Sequence, residues 1–101
     1  MDMRALMKQA QEMQAKMARV QEDLAAKTVT AEVAGGQVTV VMNGKHAVVR
    51  LEIQPAVVDP ADVEFLQDLI VSALNEAVRK TDAMVQQEMS QVTGGLNLPG
   101  M

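Results

Sequence analysis

The side chains able to do covalent or metal chemistry are few: one histidine, His46, two serines, Ser72 and Ser90, the threonines and thirteen acids, with no cysteine in 101 residues. Lack of cysteine excludes thiolate nucleophiles and disulfides, and a single imidazole is too little for a zinc site. Neither serine stands in a G-x-S-x-G elbow, and the one possible base is remote in sequence. His46 follows Asn43-Gly44 and reads as an exposed turn residue. The acid pairs Asp59/Asp62 and Glu64/Asp68 have spacings that could serve acid/base or magnesium chemistry. Helix initiation accounts for the first and a solvated helix face for the second. Gly35-Gly36 and Asn43-Gly44 lie between alternating stretches and fit neither G-x-G-x-x-G nor G-x-x-x-x-G-K-[ST], so they read as turns and not as phosphate cradles. The chain is therefore expected to be no enzyme and to hold no metal, cofactor or small-molecule ligand.

Binding is what remains, and the charge is unevenly spread. The formal net charge is −4. Residues 1–19 carry Arg4, Lys8, Lys16 and Arg19 against Asp2 and Glu12, a local +2, whereas residues 54–101 set Arg79 and Lys80 against seven acids, a local −5. Attraction to a phosphate backbone requires Lys and Arg, so the first nineteen residues are the natural footprint. Lys8/Glu12, Glu12/Lys16 and Arg19/Asp23 also have the spacing of ordinary helix-surface pairs, as does Arg79 with Glu76 and Asp82. Phe65 is the only aromatic residue, which argues against recognition by base stacking. Nine methionines suit either an adaptable helix seam or a plastic peptide groove. The second option defines the alternative function, a protein-interaction adaptor or holdase-like clamp.

These residues must be positioned by helices and strands whose periods are legible. Met3, Leu6, Ala10, Met13, Met17, Val20 and Leu24 follow at spacings of 3 and 4, one apolar seam along a helix over 1–27, with Arg4, Lys8, Lys16 and Arg19 on its far side. From Thr28 to Ile53 the period is two. Closing the chain at Gly35-Gly36 sets Val33 opposite Val38, and closing it at Asn43-Gly44 sets Val40 opposite Ala47. Val29, Ala31, Val33, Val38, Val40, Met42, Ala47, Val49, Leu51 and Ile53 then share one face in need of a cover. Asp59 as N-cap, Pro60 at the first position and Asp62 in the first turn open a second helix over 59–93, which Gly94-Gly95 would stop ahead of a tail over 94–101. Such a helix is about 50 Å long, too long for one globular body whose radius of gyration is about 13 Å. The helices must project or pack on another copy, through a helix seam or through the first or third strand.

Five fragments in this order resemble the bacterial YbaB/EbfC family of small nucleoid-associated proteins: K-Q-A-Q-E-M-Q at Lys8 to Gln14, V-A-G-G-Q-V-T-V at Val33 to Val40, N-G at Asn43, D-L-I-V-S-A-L-N-E-A-V-R-K at Asp68 to Lys80, and T-G-G-L-N-L-P-G-M at Thr93 to Met101. The resemblance spans the whole chain, read as one domain over 1–101. It implies a tweezer-shaped homodimer that binds double-stranded DNA with its helices, organising, compacting or protecting the nucleoid, with gene regulation as a further role. Carried over residue by residue, it makes Lys8, Gln9, Gln11, Asn75, Arg79 and Lys80 candidate DNA contacts; Arg4, Lys16 and Arg19 join them on charge alone. Phe65 stands where the family usually has an aliphatic residue, and His46-Ala47 where a more acidic strand start is usual. With no signal peptide at the N-terminus and no run of eighteen apolar residues, the expected location is the cytoplasm and, by the resemblance, the nucleoid, with no membrane partner. The fold expected is α+β: N-terminal helix, three-stranded antiparallel meander, long C-terminal helix.

Overall fold

A computed structural model describes residues 2–93. The order is α1 (Met3–Ala26), β1 (Thr28–Val33), β2 (Val38–Asn43), β3 (Val48–Ile53) and α2 (Val63–Thr93), with single 3-10 turns at Ala34–Gly36 and Pro55–Val57. This is the expected α+β arrangement, a meander in the order β1-β2-β3 with both pairs antiparallel. The glycine stop at Gly94-Gly95 and the tail lie outside the described residues.

Each helix start has a local cause. Asp2 accepts a hydrogen bond from the Arg4 N–H at 3.0 Å, capping α1. At the second start the structure corrects the cap: Asp59 closes a turn around Pro60, accepting from the Ala61 N–H at 2.9 Å, and α2 begins three residues later than expected, at Val63, behind Asp62, whose carboxylate accepts from the Phe65 N–H at 3.3 Å. Proline at the second position of a turn is as favourable as proline at the first position of a helix, so the dipeptide fits either geometry.

The first hairpin has the expected register, Val33 opposite Val38 and Ala31 opposite Val40. Its tip puts three successive residues in the left-handed region, Ala34 (φ 55°), Gly35 (φ 68°) and Gly36 (φ 89°). A Cβ costs about 1 kcal/mol there. Replacing Ala34 by Gly is therefore expected to raise the thermal midpoint by a few degrees, read from the far-UV circular dichroism melt; an unchanged or lower midpoint would mean that the turn carries no such strain.

The second hairpin departs from expectation. Val40 faces Leu51 and Val38 faces Ile53, a register four residues further along than a two-residue loop would give, with a bulge that sets Val48 opposite Met42. The loop is longer because Asn43 starts a turn closed by the His46 N–H at 2.9 Å, and its side chain accepts from the Lys45 and Ala47 N–H groups at 2.9 and 3.1 Å. His46, at φ 63°, takes the left-handed position that follows such a turn. Gly44 has an ordinary φ; space dictates glycine, since a Cβ would lie 2.5 Å from the Leu24 carbonyl oxygen.

Helix α2 packs on β1 and β2. The core is Ala31, Val38, Val40, Met42, Val57, Ala73 and Ala77, with Leu66, Ile70, Leu74 and Ile53 packed around it. Alanines at 73 and 77 let the helix axis approach the sheet. Thr81 is fully buried and its hydroxyl has no hydrogen-bond partner. An unpaired buried hydroxyl costs free energy that a methyl does not, so Thr81→Val is expected to stabilise the fold by about 1 kcal/mol in urea titration. Destabilisation would show that the hydroxyl finds a partner in solution.

Two apolar surfaces are left without a full cover within the chain. Strand β3 is covered only at Ile53: Leu51 is 43% exposed, and Ala47 and Val49 are exposed as well, because α2 sits over the other two strands. The α1 seam is covered only towards its C-terminal end. Leu24 is buried and Met13, Met17 and Val20 are half-buried, but Met3, Leu6 and Met7 are exposed. The radius of gyration is 19.7 Å and the principal extents are 71 × 27 × 17 Å, against about 13 Å for a compact chain of this length. Helix α1 projects.

Candidate nucleic-acid interface

The projecting α1 carries six of the nine candidate contacts. At about 100° per residue, Arg4, Lys8, Lys16 and Arg19 fall within one arc of about 120° opposite the apolar seam, spread over about 22 Å of axis, with Gln9 and Gln11 flanking the arc on either side. All six are exposed. The helix-surface pairs that the spacing permits do not form: among the described residues, Lys8, Lys16 and the Arg19 guanidinium have no ion pair or side-chain hydrogen bond. Glu12, Glu22 and Asp23 share the arc, so the arm is mixed in charge, with four cations against three acids.

The other three candidates sit apart, on the segment of α2 that rests on the sheet. Asn75 is exposed on a stripe with Asp68 and Asp82, seven residues to either side. Arg79 is clamped by Glu76, Nε to Oε2 at 3.0 Å and Nη2 to Oε1 at 2.5 Å. The guanidinium hydrogen bond holds the Glu76 carboxyl below its usual range, and the same bond raises Arg79. A depressed carboxylate keeps its partner neutralised above the ordinary glutamate range and releases it only as pH falls through the lowered value. Lys80 reaches the Thr30 carbonyl oxygen at 2.9 Å. The Gln54 N–H donates to the Gln37 carbonyl at 2.8 Å, which sets the alternation: Thr28, Thr30 and Glu32 turn their main-chain groups outward from β1, and Leu51 and Ile53 turn theirs outward from β3. Lys80 therefore blunts one edge of the sheet.

The joint that holds the arm was not legible in the sequence. The Gly44 N–H donates to the Leu24 and Lys27 carbonyls at 2.8 and 3.1 Å, Lys45 Nζ bonds Gln21 Oε1, Lys27 pairs with Glu88, and His46 Nε2 meets Asp82 Oδ1 at 2.7 Å. His46, expected as a plain exposed turn residue, thus ties the hairpin tip to α2. Among the described residues no group of three or more His, Asp or Glu is placed to hold a metal, and no helix is long and apolar enough to cross a membrane.

Fold and surface together define a class: a small, elongated α+β protein whose distinctive chemistry is a cationic helical arm seated on a meander. The chain belongs to the YbaB/EbfC DNA-binding family, whose sequence profile matches residues 1–96. It is 54% identical over 101 residues to a nucleoid-associated protein of Ruminiclostridium cellulolyticum, covering 99% of this chain and 88% of that one. It is 57% identical over 97 residues to a nucleoid-associated protein of Acetivibrio thermocellus, covering 95% and 86%. The crystal structure of an uncharacterised protein from Helicobacter pylori has the same fold, with a TM-score of 0.71 at 24% identity over 95% of this chain and 97% of that one.

Proposed function

We propose that this protein binds double-stranded DNA in the bacterial nucleoid through α1, as a homodimer, and so compacts, bridges or protects the duplex. The single observation that carries the reading is the set of cations at Arg4, Lys8, Lys16 and Arg19, aligned on an exposed helix and left without carboxylate partners. Unpaired cations neutralise phosphates at no cost in broken ion pairs. Gln9 and Gln11 add hydrogen bonds that position the arm without reading much sequence. Asn75, Arg79 and Lys80 serve as secondary contacts, since Arg79 and Lys80 must first leave Glu76 and Thr30.

The dimer supplies the second arm. Val71 and Val78 lie about half a turn around α2 from Lys80, which faces β1, so this apolar flank borders the exposed residues of β3. With β1 blunted by Lys80, a second copy laid on β3 buries both Leu51 and the valines by isologous contact.

Two arms with four cations each define at most eight phosphate contacts, so the slope of log affinity against log salt is expected near −7 by mobility shift. The exposed Met3 and Met7 favour one other reading, a clamp for apolar peptides. That clamp would hold or tighten as salt rises, and a flat salt response to duplex would establish it over DNA binding.

A further inference from the structure

The two ends of this molecule are complementary to each other. Lys27 pairs with Glu88 at the joint. From there α1 runs back about 36 Å to its start and α2 about 37 Å to its own. Only if they run in opposite directions do they account for the 71 Å long dimension, so the two helix starts lie at opposite extremes. Both extremes are apolar and exposed: Met3 (71%) and Met7 (60%) at one, Val63 (52%) and Phe65 (48%) at the other. Their charges are opposite. Arg4 and Lys8 lie one turn apart beside Met3 and Met7, and Glu64 and Asp68 lie one turn apart beside Phe65 on the outward face of α2. None of these four charged side chains has an ion-pair partner among the described residues.

We infer that the α1 tip of one copy docks on the start of α2 of another, end to end, with Phe65 against the methionines and Glu64 and Asp68 against Arg4 and Lys8. Contact between unlike surfaces is head-to-tail, and with the two surfaces at opposite extremes of a 71 Å long dimension it propagates as an open chain and not as a small closed ring. The contact is small, so it is weak, salt-sensitive and concentration-dependent. It also uses cations that the DNA reading assigns to phosphates. Duplex and chain growth therefore compete for the arm, and free protein is stored in chains that DNA dissolves. This goes beyond DNA binding and rests on that reading only for the competition with duplex.

Sedimentation velocity of the full chain without DNA tests it. In low salt the average sedimentation coefficient should climb with protein concentration without a plateau, and added duplex should abolish the climb. Glu64→Lys with Asp68→Lys should weaken chain growth about tenfold, the size of two or three exposed ion pairs, while leaving duplex affinity no weaker. Arg4→Glu with Lys8→Glu should do the same to chain growth, and all four changes in one chain should restore it. A concentration-independent coefficient in low salt, or failure of the four-fold variant to recover association while its circular dichroism melt is intact, would overturn the proposal. Loss of duplex binding in Glu64→Lys/Asp68→Lys would overturn the assignment of DNA to α1 and leave the chain-growth result to stand or fall separately.

Discussion

Glutamate in place of both Lys8 and Arg19 is expected to lower affinity for duplex DNA by about a hundredfold at moderate salt, with the salt slope falling by about two for each arm engaged. The two residues lie about 16 Å apart along α1 within the same arc, and neither is engaged elsewhere in the fold. Reversing them takes residues 1–19 from a local +2 to −2, so steering and contact are lost together. Both positions are exposed, where substitutions usually change stability by no more than about 0.5 kcal/mol. The thermal midpoint and oligomeric state should therefore match the parent chain, which separates loss of contact from loss of fold. Fluorescence anisotropy with a labelled duplex across a salt series reads affinity and slope at once. Undiminished binding by a folded variant would move the interface away from α1, to the surface around Asn75, Arg79 and Lys80.

What could be read in the sequence was what depends on period, and what could not depends on contact across long separations. The 3-and-4 spacing from Met3 to Leu24 located α1, and the alternation from Thr28 to Val40 located the first hairpin with its register, because both are properties of neighbouring residues. Alternation also placed Leu51 on the apolar face of β3, but it carries no information about how far α2 reaches across the sheet, and that reach decides whether Leu51 is covered. Charge positions were legible and charge pairings were not. Lys8 and Glu12 have the right spacing and stay apart, whereas Glu76 and Arg79 close. The contacts of Lys80 with Thr30 and of His46 with Asp82 span 50 and 36 residues, separations at which no local pattern speaks. Asn43-Gly44 misled for a related reason: the dipeptide has the composition of a type I′ turn, yet its glycine answers to Leu24, twenty residues earlier.

That glycine supplies the largest expected loss of stability. Gly44→Ala should cost about 3 kcal/mol, as overpacking against a rigid neighbour does, and so lower the thermal midpoint by more than about 10 °C for a domain of this size. The added Cβ would lie 2.5 Å from the Leu24 carbonyl oxygen, 2.8 Å from its Cβ and 3.0 Å from its carbonyl carbon. Two of these atoms are main chain in the last turn of α1, so no side-chain rotation relieves the clash. Separation of the two elements would break the hydrogen bonds from the Gly44 N–H to Leu24 and Lys27 and uncover Leu24, the one buried residue that seats the arm. Gly35→Ala is the internal control. Its Cβ would meet nothing within 4 Å, and only the φ of 68° opposes it, a cost of about 1 kcal/mol. Hydrogen exchange should show α1 losing protection in Gly44→Ala while the β1–β2 ladder retains it, and duplex affinity should fall with the arm no longer held at a fixed angle. Equal melting of the two variants would mean that α1 is not seated on the second hairpin, and the arm would have to draw its orientation from α2 alone.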